Sequence, residues 1–274
     1  MRWTWVCLAL CFCASVGDSE ELASSAKAGA EAIRALVEAY PAFLAVSEHA
    51  GMVRWKDGTE WEFDDHVKKR DFADLLNRPC LKDQLSIPYV AGWPPQTPGE
   101  DCDPGRIRYE PFFRKMYGET AEEVRKNLVN VSWLPGGKGK TVPFSKVNGA
   151  ADALSRVAQE IGQLPPETRR YAARPVGTFF RRTIGGTERL SMHSFGAAID
   201  LELPKTIMDS WEWHGETARA HPSYPKQALG NEKLGRIVVI FEKHGFIWGG
   251  KWYHFDTMHF EYRPELLTST LPVS

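Results

Sequence analysis

Four side chains in the second half of the chain are of the types that hold and use a metal ion. His193 and Asp200 lie seven residues apart in SMHSFGAAID, and Asp256 and His259 lie three apart in WYHFDTMHFEY. On one helix, positions seven apart share a face but are separated by roughly 10 Å along the axis, too far to touch one atom. On one straight strand, an odd separation puts them on opposite faces. If His193 and Asp200 act together, the chain bends between them, and Gly196 is the residue suited to the bend. Zinc fits the set best, because it accepts imidazole nitrogen and carboxylate oxygen, and a catalytic zinc takes three protein ligands and leaves one position for water. Two histidines and one aspartate meet that count. The remaining carboxylate is then free as a base, and Asp256 could accept a proton and later hand it to a leaving amine. His254 and Glu261 in the same stretch are rival ligands that spacing does not exclude. The plain alternative is that these histidines are ordinary core or surface residues.

Several elements must position such a set. Leu22, Ala26, Ile33, Leu36, Val37 and Tyr40 recur at helical spacing before Pro41, which predicts an amphipathic helix packed on the outside of the main body. Asp57-Gly58 between two alternating runs predicts a hairpin. Residues 65–77 read as helical, and 80–108, rich in Pro, Gly and Asp, as a long loop. Thr120 with Glu123 forms a capping box for a helix to about Val131, and WLPGGKGK reads as a turn. Val147, Ala150, Leu154, Val157 and Ile161 predict a helix ending before Pro165-Pro166, and Leu234–His244 a second one ended by Gly245. VGTFFRRTI and AAIDLEL read as strands on either side of the LSMHSFG bend; FIWGG, KWYHF and MHFEY read as short strands. Helices and short hairpin-connected strands without βαβ alternation predict an α+β fold with a mostly antiparallel sheet.

The 274 residues, 43% hydrophobic, suffice for one large core or a core with a small appendage. A formal charge of -1 gives no electrostatic reason to expect nucleic acid as partner. One Arg precedes an apolar run from Trp3 to about Val16, and Ser15 and Gly17 are small residues suited to a cleavage site. Residues 1–17 therefore read as a secretory signal peptide, too short for the ~20 residues of a spanning helix, and nothing else in the chain is long enough to span a bilayer. The mature protein would be exported, to the periplasm or cell envelope, with no membrane segment. Cys80 and Cys102 would remain, an even pair that predicts a disulfide closing a loop of about 22 residues and contributing ~3 kcal/mol; the alternative is two separate buried thiols.

The motifs carry a resemblance. SMHSFGAAID matches the SxHxxGxAxD pattern of the zinc D,D-peptidases that act on peptidoglycan stem peptides, and Asp256-Thr-Met-His259-Phe260 matches their second motif: an acidic residue, two residues, His and an aromatic. The family includes D-alanyl-D-alanine carboxypeptidases, D-Ala-D-Ala dipeptidases and L-alanyl-D-glutamate endopeptidases. The resemblance implies that His193, Asp200 and His259 bind zinc and that Asp256 is the general base. Many members carry Glu there; Asp is shared by the endopeptidase-like branch. The family also places an arginine on the strand before the first motif, to hold a substrate carbonyl or carboxylate oxygen. Of Arg181 and Arg182, the R-x-I-x-G register favours Arg182, and strand alternation lets only one of them face the site. Ser191 matches a serine that would bind substrate or orient the first ligand. The resemblance covers residues 175–265 and implies the zinc D,D-peptidase (hedgehog-like) fold, a small mostly antiparallel sheet flanked by helices. The domain reading is a leader at 1–17, an N-terminal helix over 18–50 and a zinc peptidase domain over 51–274. The activity implied is D-alanyl-D-alanine carboxypeptidase, with an L-alanyl-D-glutamate-type endopeptidase or a non-catalytic zinc-binding wall module as alternatives. CDPGRIRYEPFF, with Asp103, Arg106 and Arg108, reads as a structural loop or else a cleft wall. Trp211, Trp213, Trp248 and Trp252 read as core or else a groove lining.

Overall fold

The computed structural model describes residues 16–134, 140–185, 187–211 and 224–268. Apart from Val16 and Gly17, which begin the first helix, the expected leader lies outside these residues. That helix runs Val16–Ala39. Its Ala35, Leu36 and Ala39, with Tyr40 just beyond, are buried in the main core. No helix among the described residues is long and apolar enough to cross a membrane. The Asp57-Gly58 turn joins strands Met52–Trp55 and Glu60–Glu62, and Leu44–Ala45 adds a third antiparallel strand. Gly58 has φ +91, a conformation this turn needs and a side chain disfavours. The helix expected over 65–77 is confined to Phe72–Asn77, because Asp71 caps it by accepting from the Asp74 N–H.

The helix opened by Thr120 and Glu123 stops at Lys126, short of Val131. Leu128–Ser132 is instead a strand paired with Thr141–Ser145. Val129 and Val131 alternate with Asn130 and Ser132, and the β-branched pair settles the local choice once a partner strand is present. Of the turn expected between them, residues 135–139 lie outside the described set.

The four-stranded sheet that carries the site is antiparallel throughout, in the order Pro175–Gly177, Ala198–Leu201, His259–Tyr262, Phe246–Trp248. The helices Ala150–Gly162 and Glu232–Lys243 pack against each other, and the second packs against the sheet. Phe241 stacks on Phe260 at 4.0 Å between ring centroids, which turns Phe260 inward and leaves His259 and Glu261 on the other face. The strand expected over VGTFFRRTI is shorter, ending at Gly177, with a single further bridge between Thr183 and Leu190. Within KWYHF there is no strand; Gly249–Lys251 form a 3-10 turn. The whole is a mixed α+β arrangement of small antiparallel sheets with helices.

The expected disulfide does not form: Cys80 and Cys102 are both free. Cys80 begins the short helix Leu81–Gln84, and its N–H donates to Asp83. Cys102 belongs to a different neighbourhood, where its carbonyl accepts from the Tyr253 N–H. A spacing in sequence sets no distance in space, and a bridge needs both.

Candidate metal centre

His193 sits in a 3-10 turn, Met192–Phe195, started by Ser191, whose hydroxyl accepts from the His193 N–H at 3.4 Å. Gly196 ends the turn at φ +64, ψ +25. A Cβ there would lie 2.5 Å from Leu128 Cδ2. The reversal at Gly196 feeds directly into the strand Ala198–Leu201, where Asp200 pairs in register with His259 of the neighbouring strand. The bend required by the odd spacing is therefore present at Gly196, and it brings His193 back over the Asp200–His259 pair.

The ligand atoms of His193, Asp200 and His259 lie within 4.8 Å of one another. His193 Nδ1 is 2.9 Å from the Thr178 carbonyl oxygen, which can only accept, so the proton of a neutral ring is on Nδ1 and the lone pair is on Nε2. That Nε2 is buried, makes no hydrogen bond and lies 3.1 Å from Asp200 Oδ1. His259 Nε2 is 3.0 Å from Glu261 Oε2 and its Nδ1 is 3.0 Å from the same Asp200 Oδ1. With the His259 proton on Nε2, two imidazole lone pairs and a carboxylate oxygen converge on one small volume. Three acceptors facing each other need a cation among them. Without a metal, a proton serves: burial lowers the His259 pKa, but the hydrogen bonds to Asp200 and Glu261 overcome this and raise it to about 9. Burial opposes ionisation of Asp200, and the two histidines outweigh it, holding its carboxyl well below the usual range. The donor set fits a tetrahedral metal with one position open.

Glu261 lies outside this group; it holds the other ring nitrogen of His259, the kind of support that metal-site histidines usually have. It is fully buried. Arg263 Nη1 reaches it at 3.0 Å and Arg108 Nη1 at 3.3 Å. Arg263 continues to Glu265 at 2.6 Å, and Glu265 accepts from the Tyr40 hydroxyl at 2.5 Å. His254, the other rival, lies outside the group and pairs through Nδ1 with buried Asp103.

Asp256 is held by backbone contacts: its N–H donates to the Gly249 carbonyl, and its carbonyl accepts from the His259 N–H. A Cβ on Gly249 would lie 2.6 Å from that carbonyl oxygen. The side chain is directed into a cavity of about 230 Å³ that His259 also lines. Its Oδ1 is buried without a hydrogen-bond partner. Burial pushes the Asp256 pKa up, against the pull of nearby His259, and the Asp200 charge adds to the rise. A carboxyl of raised pKa beside such a donor set is suited to take up a proton and give it back.

Ser191 and Arg182 line the same cavity. Arg181 points elsewhere, and its Nη2 donates to the Glu119 carbonyl at 2.7 Å. Arg106, Arg108, Trp211 and Trp252 also line it. The arginines come from the segment read mainly as a structural loop, and the Arg-x-Arg spacing, which puts both side chains on one side of an extended chain, was the available signal. Arg106 donates to the His254 carbonyl from Nε and Nη2 and lies 4.2 Å over the Trp252 ring. Trp248 is core, and Trp213 lies outside the described residues.

Residues 185–262 match the family model described as D-alanyl-D-alanine carboxypeptidase. No curated protein and no solved structure matches the chain. The matched segment contains both motifs and all of His193, Asp200, Asp256 and His259.

Proposed function

We propose, from the match of residues 185–262 to the family model described as D-alanyl-D-alanine carboxypeptidase, that the chain hydrolyses a peptide bond in peptidoglycan stem peptides. The observation that carries this reading is the convergence of His193 Nε2, Asp200 Oδ1 and His259 Nδ1, with the unpartnered Asp256 carboxylate in the cavity beside them. These three atoms would hold zinc, which supplies Lewis acidity toward the scissile carbonyl and acidifies water. Asp256 takes the proton of the attacking water on its free carboxylate oxygen and delivers it to the leaving amine. Its burial raises the pKa of the conjugate acid, which favours taking up the proton. Thr178 and Glu261 fix the ring orientations of His193 and His259. Arg182 offers guanidinium donors to the oxygen on which charge develops, while Ser191 orients the His193 turn.

Among stem-peptide bonds, D-alanyl-D-alanine cleavage from the C-terminal end is the reading taken first, and an endopeptidase of the L-alanyl-D-glutamate type is the second, favoured by Asp at position 256. The leader reading at residues 1–17 suits a substrate outside the cytoplasmic membrane. The test is mass spectrometry of products from a defined muropeptide, with zinc and with chelator. Zinc-dependent loss of one D-alanine supports the carboxypeptidase, and an internal cut supports the endopeptidase. Zinc bound with no turnover on any stem peptide would overturn the enzyme and leave a binding module.

A further inference from the structure

Charge in the cavity is unevenly used. Arg108 is nearly buried, with its side chain 9% exposed, yet all its polar contacts run through one nitrogen. Nη1 lies 3.3 and 3.5 Å from the Glu261 oxygens and 3.4 Å from the Gly105 carbonyl. Each of these is long for a charge-assisted hydrogen bond. Arg263 and His259 also hold Glu261, both at 3.0 Å. Nε and Nη2 of Arg108 have no partner among the described residues, although Arg108 lines the cavity that contains Asp256 and His259. A guanidinium carries five N–H donors in a planar fork matched to a carboxylate. Its neighbour Arg106 is already occupied by the His254 carbonyl and the Trp252 ring. A third arginine, Arg189, feels the charges of both. Burial, and then the charges of Arg108 and Arg106, lower its pKa to about 10. The cations here thus repel one another. An anion entering the cavity would relieve that repulsion.

We propose that Arg108 is a specificity residue that binds a carboxylate of the substrate through the donors it leaves unused, so that the cleft selects peptides bearing an acid next to the scissile bond. This rests on the peptidase reading above and adds a recognition contact to it. Two parts of a stem peptide supply such a carboxylate: the free chain end and the side branch of an internal acidic residue.

The experiment compares kcat/KM of the zinc-loaded full chain on matched stem peptides: unmodified, amidated at the C-terminus, and amidated at the internal acid. The expected result is a roughly 10- to 100-fold loss for one of the two amides, the size of a lost charged hydrogen bond. C-terminal sensitivity identifies the chain end as the group bound, and internal sensitivity identifies the branch. Arg108→Gln should lower the rate on the acid by a similar factor more than on that amide, so the acid-to-amide ratio collapses toward one. Arg108→Lys, which keeps charge but not the fork, should restore part of the ratio. Equal rates on all three peptides in the wild type would overturn the proposal, as would an equal loss on acid and amide in both variants, which marks a structural role. If no peptide is cut, the peptidase reading fails by itself. Calorimetric binding of the same peptides then decides: weaker binding of an amide, with the difference erased by Arg108→Gln, supports Arg108, and equal binding of acid and amides overturns it.

Discussion

Replacing Gly196 with alanine tests whether the bend between His193 and Asp200 is what assembles the metal centre. The backbone there is left-handed, φ +64 and ψ +25, which costs a residue with a Cβ about 1–2 kcal/mol. The new methyl would meet Leu128 Cδ2 at 2.5 Å, with the Ser145 nitrogen at 3.6 Å and a Phe179 ring carbon at 3.7 Å. Only the first contact is a clash, and it falls on the end of a side chain that can rotate, so it draws on the lower part of the roughly 1–3 kcal/mol that overpacking costs. The sum is about 2–4 kcal/mol, which for a chain of this size lowers Tm by roughly 5–15 °C. Because the bend carries His193 to the Asp200–His259 pair, zinc affinity should fall as well. Differential scanning calorimetry of metal-free and metal-loaded protein, with zinc competition against a chelating dye, measures both. Gly196→Asn should cost less than Gly196→Ala, since asparagine tolerates the left-handed region. Leu128→Ala should soften the alanine variant by removing the clash, a coupling that a double-mutant cycle reads directly. An alanine variant within about 0.5 kcal/mol of wild type and unchanged in zinc affinity would refute the reasoning.

Asp256→Asn should retain zinc and lose roughly 10²- to 10⁴-fold in kcat; metal analysis with steady-state rates checks it, and loss of the metal instead would assign Asp256 to holding the ion. Glu261→Gln removes the charge facing Arg108 and Arg263 and loosens the His259 tautomer, so zinc affinity should drop about 10- to 100-fold, read by dye competition. The His259 pKa, raised to about 9 in the metal-free fold from about 6.5 unfolded, contributes stability fully present below the unfolded value and lost as pH rises through about 9. Chemical denaturation from pH 6 to 9.5 should show that decline in metal-free protein and not in zinc-loaded protein. The unsubstituted protein should give the same Tm with and without reductant, because neither Cys80 nor Cys102 is bridged.

The parts of the site visible from sequence were those fixed by neighbours in the chain. The odd His193–Asp200 spacing demanded a bend, and Gly196 was the residue able to make it. The Asp256–His259 turn is similarly local. Arg182 rather than Arg181 lines the cavity, the choice the family's R-x-I-x-G register favours, although neither residue lies in a strand. What sequence could not show was pairing across long separations. Arg108 meets Glu261 from 153 residues away, so the loop that carries it looked merely irregular. Leu128–Ser132 looked helical because its strand partner, Thr141–Ser145, lies beyond the turn. The two cysteines invited a bridge for the opposite reason: an even count is visible in sequence, whereas the separate anchors of Cys80 and Cys102 are not.

The contacts from Tyr40 to Glu265, Arg263, Glu261 and finally His259 join the start of the chain to its last described strand. Residues 225 positions apart must meet for this line to close, so the support of His259 draws on both ends of the described chain. The opening helix cannot then be a detachable spacer. A protease cut that frees it should weaken the grip on the metal some distance away, even though no ligand lies near the cut.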